Sequence, residues 1–252
     1  AQKGLTTDGH QYISQAITAG ARAVVCEQLP GQLVEGVEYI LSHETAELAG
    51  ELAGLFYDSP SQKLKLVGVT GTNGKTTTVT LLYRLVKALG YKAGLLSTIQ
   101  NFIHDEIVAS THTTPDVIRI NELLNRMVKA GCDYAFMEVS SHAMKQKRVA
   151  GIRFAGGIFT NITHDHLDYH GSFKDYLYCK KLFFDQLSSD AFAITNKDDR
   201  NGPVMVQNTK ATVITYSMQQ LATVKGKIKA NTLQGLLLEI NTVEVHFRLI
   251  GA

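Results

Sequence analysis

The chain contains a strand, a glycine-rich loop and a helix in direct succession, and this combination constrains its fold more than any other feature. Residues 64–69 read Leu-Lys-Leu-Val-Gly-Val, which predicts a short buried strand. The loop Gly71-Thr72-Asn73-Gly74 follows, and a helix is predicted to begin at Lys75. In such a loop the backbone N–H groups and the positive end of the helix face a bound anion. The segment therefore predicts a phosphate-binding loop within an α/β protein.

This loop differs from the strict Walker pattern, which requires a glycine five residues before Gly74. Val69 occupies that position, so the match is to the shorter form Gly-x-x-Gly-Lys-Thr. Lys75 can reach terminal phosphates, and the Thr76 hydroxyl can ligate Mg²⁺. A glycine-rich turn before an ordinary helix is the alternative, but the Lys-Thr pair and both flanking elements favour nucleotide binding. The candidate ATP-binding residues are Gly71, Thr72, Asn73, Gly74, Lys75, Thr76 and Thr77.

Composition limits the classes of protein to which the chain can belong. Its 252 residues, 44% hydrophobic and 19% charged, are ordinary for a globular protein with a sizeable core. A net charge of +2 and scattered basic residues point to neither nucleic acid nor a membrane surface. The isolated Cys26, Cys132 and Cys179 favour a reduced, cytoplasmic protein over a disulfide framework. No apolar run reaches the roughly 18 residues of a membrane span.

Strands and helices alternate along the chain, and this order predicts a mostly parallel sheet wrapped by helices. Predicted strands cover 23–27, 64–69, 93–97, 134–139, 157–160, 191–196 and 212–216. Residues 236–240 and 243–249 flank Asn241-Thr242 and alternate in polarity, which predicts an antiparallel hairpin at the domain edge. The polar, proline-containing segment 57–62 is the predicted boundary between a partial α/β domain, 1–60, and a central domain, 61–252.

Hydrophobic periodicity predicts the helices and the face that each one buries. Predicted helices cover 12–19, 44–57, a segment that begins at Lys75, a segment that follows Thr114, and 172–187. The predicted buried stripes of the middle three are Leu48, Leu52 and Leu55; Val79, Leu82, Val86 and Leu89; and Val117, Ile120, Leu124 and Met127. Thr114 is the predicted N-cap of its helix, with Pro115 in the first turn and Asp116 at the positive end.

Two groups of polar residues follow predicted strands, at the sheet edge where open α/β folds place their sites. Glu138 ends an apolar strand and is a candidate Mg²⁺ ligand beside the phosphate loop. A solvated glutamate at a strand end is the alternative. Residues 161–171 contain three histidines and two aspartates within seven residues, but their spacing matches no zinc motif, and a nucleotide site's Mg²⁺ prefers oxygen ligands. Each histidine, His164 included, can equally be a loop or capping residue.

Lys180 is the least expected residue of the chain. Its helix carries Phe173, Tyr176, Leu177, Phe184 and Leu187 as an apolar stripe, and Lys180 lies on that stripe, four residues from both Tyr176 and Phe184. A buried lysine tends to lose its proton. The alternative is a long side chain that extends past the stripe to water. Lys181 is predicted to point away as an ordinary solvated charge.

Together these motifs resemble the Mur ligases, the ATP-dependent amide ligases of bacterial cell-wall synthesis. The phosphate loop alone would also fit folylpolyglutamate synthetase, but the later strings are specific to the Mur branch that forms the tripeptide. The matching strings are Gly68-Val69-Thr70-Gly71-Thr72-Asn73-Gly74-Lys75-Thr76, Thr113-Thr114-Pro115, Met137-Glu138-Val139-Ser140-Ser141-His142 and Asp165-His166-Leu167-Asp168-Tyr169-His170-Gly171.

The resemblance implies roles for individual residues. Lys75 contacts ATP phosphates, Thr76 and Glu138 hold one Mg²⁺, and His166 helps to hold a second. Lys180 matches a lysine that carries a CO₂-derived carbamate. The residues expected to contact the substrate are Thr113, Thr114, Ser140, Gln146 and Arg148.

The resemblance also implies the reaction and the partners. The expected substrates are UDP-N-acetylmuramoyl-L-alanyl-D-glutamate, ATP and an amino acid, meso-diaminopimelate more often than lysine, joined through an acyl phosphate. Residues 1–60 resemble the latter part of a UDP-binding domain, so we expect a chain truncated at both ends, without the amino-acid-binding domain and inactive alone. We expect a cytoplasmic monomer.

Two other classes of function compete with a ligase. One is a regulatory module that binds and hydrolyses ATP without ligation, although such a module does not need Glu138, His166 and an apolar-face Lys180. The other is a zinc hydrolase, which would require stoichiometric zinc.

Overall fold

The structure is a computed structural model that describes residues 1–4, 7–110, 112–163, 165 and 167–248, without the side chains of Leu167 and Asp168. The first part of the chain forms a small α/β unit with one helix and a pair of parallel strands. These elements are a 3-10 turn over Gly9–Tyr12, α1 (Ile13–Thr18), β1 (Ala23–Cys26) and β2 (Glu38–Leu41). The helix predicted over 12–19 is therefore preceded by a separate turn, which the Asp8 carboxylate caps by accepting from the His10 N–H.

Eleven strands of the described chain form one large mixed sheet. They are β3 (Lys65–Thr70), β4 (Ala93–Leu96), β5 (Asn101–Ile103), β6 (Glu106–Val108), β7 (Tyr134–Glu138), β8 (Gly156–Phe159), β9 (Phe192–Asn196), β10 (Thr212–Ser217), β11 (Val224–Thr232), β12 (Gly235–Ile240) and β13 (Val243–Phe247). Their order across the sheet is β13-β12-β11-β10-β9-β8-β3-β7-β4-β5-β6. From β11 to β4 all neighbours run parallel, whereas β11-β12-β13 and β4-β5-β6 pair antiparallel.

Helices cover both faces of this sheet, as the sequence predicts. They are α2 (Thr45–Phe56), α3 (Lys75–Ala88), α4 (Val117–Lys129), α5 (Ser141–Lys145), α6 (Leu167–His170), α7 (Phe173–Asp185) and α8 (Gly202–Met205). The parallel sheet, the wrapping helices and the antiparallel hairpin β12-β13 confirm the predicted fold class, although Leu249 lies outside the described residues. The sequence missed β2, the short strands β5 and β6, the long β11, and the short helices α5, α6 and α8.

The core has a layer on each face of the sheet. On one face, Val79 and Tyr83 of α3 pack against β3, β4 and β7. On the other face, residues of α4 and α7 pack together, including all four members of the predicted α4 stripe. Gly68 of β3 lies so close to α7 that an added Cβ would come within 2.5 Å of the Phe183 ring. Glycine therefore lets α7 approach the strand that leads into the phosphate loop.

Two predicted leucine stripes are wrong in part. Leu52 and Leu55 are exposed, and α2 instead buries small residues, Gly50, Ala53 and Gly54. Small residues allow that helix to approach its neighbours closely, which a leucine face would prevent. In α3, Val79 is buried, but Leu89, at the last turn, is 65% exposed. Hydrophobic spacing locates a helix here without showing which side is covered.

The start of α4 also differs from the prediction. Asp116, and not Thr114, is the N-cap, because its carboxylate accepts from the N–H groups of Ile118 and Arg119. The Thr114 hydroxyl is already engaged, since it donates to the carbonyl oxygen of Glu138 at 2.9 Å. The helix begins later because the threonine is needed between two segments of the site.

Lys181 is a further correction. The sequence predicts a solvated charge, but the residue is only 9% exposed, and its Nζ atom contacts both carboxylate oxygens of Asp185 at 2.7 Å. The aspartate lies one helical turn later, where an opposite charge can pair with it. The predicted cap of the same helix is confirmed, because the Ser172 hydroxyl accepts from the Asp175 N–H.

Candidate active site

The phosphate loop joins β3 to α3, as predicted, and two of its glycines have conformations that favour glycine. Gly74 is the N-cap of α3 with φ of 84°. Gly71 has φ of 152°, and an added Cβ would lie 1.9 Å from the hydroxyl oxygen of Thr160. A side chain at either position would strain or displace the loop. In the first turn of α3, Thr76 is half-buried and Thr77 is exposed.

The segment after β8 fixes the phosphate loop from the side. The Thr72 N–H donates to the carbonyl oxygen of Asn161 at 2.8 Å, and the Asn73 N–H donates to Asn161 Oδ1 at 3.0 Å. The Thr160 hydroxyl donates to the carbonyl oxygen of Asn73 at 2.7 Å. The Thr163 N–H donates to the Thr72 hydroxyl at 3.0 Å. The loop is therefore held in shape by partners from the neighbouring strand end.

Lys75 folds back over this loop. Its Nζ atom donates to the carbonyl oxygens of Gly71 and Thr72, both at 2.9 Å. Burial lowers the pKa of the Lys75 ammonium, while the charges of Glu138 and Asp165 raise it. Carbonyl oxygens hold the ammonium at the loop, where a phosphate would meet it.

Lys180 reaches the same loop from the opposite direction. It is 1% exposed, and its Nζ atom donates to the Gly71 carbonyl oxygen at 2.9 Å. The Nζ atom also lies 4.6 Å from the centre of the Tyr176 ring, a cation–π distance. Burial lowers the pKa of Lys180 to about 7, and the nearby charge of Lys75 lowers it further, whereas Asp165 opposes the shift. The sequence prediction of a lysine on the buried face is confirmed.

Tyr176 joins the two lysines to the loop. It is fully buried, and its hydroxyl lies 3.1 Å from the Thr72 hydroxyl. Burial raises the pKa of the Tyr176 phenol. The tyrosine ring therefore contacts Lys180, while its hydroxyl contacts the phosphate loop.

Glu138 ends β7 next to β3, on the side of the sheet where the loop lies. It is 1% exposed, which contradicts the reading as a solvated glutamate. Its Oε1 atom accepts from the Thr98 N–H at 2.7 Å, and its Oε2 atom from the Thr98 hydroxyl at 3.2 Å. The result is a buried carboxylate held by one residue, with lone pairs left for a further partner.

The expected substrate residues come together around the end of β7. The Thr114 hydroxyl lies 3.3 Å from the Ser140 hydroxyl and accepts from the Ser140 N–H at 3.1 Å. Thr113 Oγ1 lies 3.1 Å from Thr98 Oγ1. Arg148 donates from Nη1 to the Thr114 carbonyl oxygen at 2.8 Å, and from Nε and Nη2 to Gln146 Oε1. All five residues thus belong to one connected network.

A cleft of about 820 Å³ opens beside this network. One wall comes from the amino-terminal residues Gln2 to Gly4 and from 43–46, and the other from His112, Asp116 and 145–148. Lys3, Lys145, Lys147 and Arg148 line it. The lining favours an elongated ligand that carries negative charge.

The donors of this site fit magnesium better than zinc. Among residues 1–4, 7–110, 112–163, 165 and 167–248, no group of three or more histidine, cysteine, aspartate or glutamate side chains can hold a metal ion. Glu138 and the Thr76 hydroxyl supply oxygen donors, and Mg²⁺ characteristically takes few protein ligands together with phosphate and water. His166, the expected ligand of a second ion, lies outside the described residues.

Comparison with known proteins decides the family. Residues 69–252 match the family described as the Mur ligase middle domain. This chain belongs to the Mur ligase family. The resemblance read from the motifs is therefore confirmed.

Two curated relatives are similar to this Mur ligase over its whole length. Both are named UDP-N-acetylmuramoyl-L-alanyl-D-glutamate--2,6-diaminopimelate ligase. The protein from Cytophaga hutchinsonii is 58% identical over 252 residues, 100% of this chain and 52% of the relative. The protein from Phocaeicola vulgatus is 57% identical over 251 residues, again 100% and 52%. The chain thus spans about half the length of the curated relatives it matches.

Solved structures agree with the Mur ligase fold. A structure of a UDP-N-acetylmuramoyl-L-alanyl-D-glutamate--2,6-diaminopimelate ligase has a TM-score of 0.79 at 25% identity, covering 94% of this chain and 49% of the other. MurF ligase from Thermotoga maritima, solved in complex with ADP, has a TM-score of 0.59 at 18% identity, covering 98% and 54%. In the described part of this Mur ligase, no helix is both long and apolar enough to cross a membrane.

Sequence reasoning missed several residues of this Mur ligase site. Thr98, Asn161 and Tyr176 were not predicted as site residues, although Asn161 lies in the polar segment that was singled out. Asp165, in the same segment, carries the charge that opposes the pKa shifts of both Lys75 and Lys180. Nothing in the sequence around Thr98 marks it, because its partner Glu138 lies 40 positions later.

Proposed function

We propose that this chain carries the ATP-binding part of a ligase that adds the third amino acid, meso-diaminopimelate, to UDP-N-acetylmuramoyl-L-alanyl-D-glutamate in peptidoglycan synthesis. The names of relatives at 58% and 57% identity support the substrate and the amino acid. We further propose that residues 1–60 contribute to the UDP-substrate domain and 61–252 form the ATP-binding domain, with the amino acid bound by a third domain outside this chain. The proposed setting is a cytoplasmic monomer.

One observation carries the proposal: two buried lysines meet at one carbonyl oxygen of a phosphate loop, beside a buried carboxylate. Lys75 and Lys180 both lie 2.9 Å from the Gly71 oxygen. Phosphoryl transfer is accelerated mainly by positioning and by compensating the charge of the transferred group. A loop that only binds nucleotide needs Lys75 but has no use for a second, desolvated lysine.

Lys75 has the simplest proposed role. Its ammonium exchanges the Gly71 and Thr72 carbonyl oxygens for phosphate oxygens of ATP, and burial makes this attraction stronger than it would be in water. The N–H groups at the start of α3 face the same anion. These groups neutralise charge as the terminal phosphoryl group moves to the substrate.

Thr76 and Glu138 are the proposed holders of one Mg²⁺, and His166 of another. The buried Glu138 carboxylate, with oxygen lone pairs remaining after its bonds to Thr98, fits a hard cation. When bound, the ions neutralise phosphate oxygens and orient the nucleotide.

Lys180 is the proposed carbamate. Because its pKa is about 7, a substantial fraction of its side chain is a neutral amine at neutral pH. The nitrogen lone pair attacks the carbon of CO₂, one C=O electron pair moves onto oxygen, and the nitrogen proton passes to water. The product is an anion with two oxygens, which suits a divalent cation where an ammonium would repel one.

The proposed reaction then proceeds in two steps. The D-glutamyl carboxylate attacks the terminal phosphorus of ATP, which gives an acyl phosphate and ADP. The amino group of the incoming amino acid attacks the acyl carbon, and inorganic phosphate leaves. The network of Thr113, Thr114, Ser140, Gln146 and Arg148 holds the UDP-substrate beside the loop, and the adjoining cleft of about 820 Å³ takes its elongated part.

The test is a product assay on the native protein at its natural length. ATP, the UDP-dipeptide and meso-diaminopimelate are supplied, and products are identified by mass spectrometry. We expect the UDP-tripeptide with one ADP for each molecule formed. ADP without tripeptide would favour the regulatory module and would overturn the proposal.

A further inference from the structure

Thr98 bridges the two halves of the proposed site. It follows β4, and both of its polar groups face Glu138: the N–H reaches Oε1 at 2.7 Å, and the hydroxyl reaches Oε2 at 3.2 Å. The same hydroxyl oxygen lies 3.1 Å from Thr113 Oγ1. One exposed threonine thus contacts the proposed metal ligand and a proposed substrate residue.

A single hydroxyl proton cannot serve both neighbours at once. If the Thr98 hydroxyl donates to Glu138, its oxygen is left to accept the Thr113 proton. If it donates to Thr113 instead, the Thr113 proton is directed elsewhere, toward whatever acceptor lies in the site. The choice depends on whether Oε2 of Glu138 needs a hydrogen bond or is already bound to a cation.

The surrounding backbone stays in place during this exchange. The adjacent Thr114 donates to the Glu138 carbonyl oxygen at 2.9 Å and accepts from the Ser140 N–H at 3.1 Å. These bonds tie the chain at Thr113 to the end of β7. The two arrangements therefore differ by rotation of hydroxyl groups.

We propose that Thr98 is a positioning residue that couples cation binding at Glu138 to substrate binding at Thr113. Without a cation, Thr98 donates to Glu138 and Thr113 donates to Thr98. With a cation on Glu138, Thr98 donates to Thr113, whose proton then points to an oxygen acceptor of the UDP-substrate. Each ligand strengthens the binding of the other, as linkage requires. This inference rests on the proposed function.

The test measures the affinity for UDP-N-acetylmuramoyl-L-alanyl-D-glutamate by calorimetry, with and without Mg²⁺ and ADP, in the native protein at its natural length. We expect Mg²⁺ with ADP to tighten binding about fivefold or more in the wild type. In Thr98→Val, which keeps the backbone N–H and the branched shape, the ratio should fall to within about twofold of one. Thr98→Ser should retain the wild-type ratio.

Two further variants complete the design. Thr212→Val, an exposed residue at the amino end of β10, is the matched control and should keep the full ratio. Thr113→Val removes the other end of the relay and should lose the ratio, which provides a second test if Thr98→Val does not fold.

The outcomes separate this inference from the proposed function. A wild type that binds both ligands without mutual effect, or a Thr98→Val that keeps the ratio, overturns the coupling alone. A wild type that binds neither ADP with Mg²⁺ nor the UDP-substrate overturns the proposed function as well. Loss in Thr98→Val and Thr113→Val, with retention in Thr98→Ser and Thr212→Val, supports the coupling.

Discussion

The Nζ atoms of Lys75 and Lys180 donate to the same acceptor, the carbonyl oxygen of Gly71, each at 2.9 Å. The two lysines come from different helices, α3 and α7, and the charge of Lys75 adds to the burial that lowers the pKa of Lys180. A carbonyl oxygen has two lone pairs and can serve both. The site thus brings two like charges together before any anion is bound, and the predictions below test the consequences.

Lys75→Ala should abolish acyl-phosphate formation. The variant lacks the ammonium that compensates phosphate charge, so turnover should fall about 10²-fold or more. Affinity for the UDP-substrate, measured by calorimetry, should stay nearly unchanged, because the cleft for that substrate is lined by other residues. Lys65→Ala, at the opposite end of β3, is the control. Wild-type turnover by Lys75→Ala would show that the loop serves another purpose.

The stability of the protein should depend on the pH through Lys180. Its pKa falls from 10.5 in an ordinary lysine to about 7 in the folded protein, so between these values the unfolded chain binds more protons. The free energy of unfolding therefore gains from Lys180 as the pH rises from about 7 to 10.5. Below about pH 7 the burial penalty is complete, of the order of 5 kcal/mol by linkage.

Lys180→Met removes this penalty. Its stability relative to wild type should be greatest at and below about pH 7 and should decline as the pH approaches 10. Urea unfolding in CO₂-free buffers over this range measures the difference. Lys181→Met is the matched control, since Lys181 is paired with Asp185. A difference between Lys180→Met and wild type that is constant with pH would contradict the assigned pKa.

Tyr176 should divide its contribution between ring and hydroxyl. Tyr176→Phe keeps the ring face under Lys180 but loses the contact with Thr72, and should cost about 1 kcal/mol of unfolding free energy. Tyr176→Leu also loses the ring and should cost about 2 kcal/mol or more. Both should weaken ADP binding, because Thr72 belongs to the loop. The exposed Tyr178, changed to Phe, is the control. Equal costs for Phe and Leu at position 176 would rule out the cation–π contact.

Lys180 should carry a carbamate in the active protein. Exposure to ¹³C-labelled bicarbonate should give a carbamate signal by ¹³C NMR that is missing in Lys180→Ala. That variant should lose turnover, and short carboxylic acids should restore part of it by filling the space. An unmodified Lys180 ammonium in a fully active enzyme loaded with metal and substrate would refute this assignment.

The sequence predicts those parts of the site that depend on local pattern. The phosphate loop has its residues in succession, Glu138 ends an apolar run, and Lys180 lies on a helical stripe whose period reveals it. Burial of Glu138 and Lys180 follows from their hydrophobic neighbours. These predictions succeed because the relevant forces act between residues close in sequence.

Other parts depend on contacts that no local pattern encodes. Asn161 binds the Asn73 N–H across 88 positions, and Thr98 binds Glu138 across 40. Thr114 was assigned as a cap from its position before Pro115, but its hydroxyl has a partner in another strand. The exposed Leu52 and Leu55 show the same limit, since periodicity does not identify the neighbour that covers a face.

Transfer of ¹⁸O from the substrate carboxylate to phosphate tests the central claim most directly. UDP-N-acetylmuramoyl-L-alanyl-D-glutamate, labelled with ¹⁸O in the D-glutamyl carboxylate, is incubated with ATP, meso-diaminopimelate and the native protein at its natural length. Attack of that carboxylate on the terminal phosphorus predicts inorganic phosphate with one ¹⁸O atom for each tripeptide formed, detected by ³¹P NMR. Unlabelled phosphate, or label in AMP, would contradict the account.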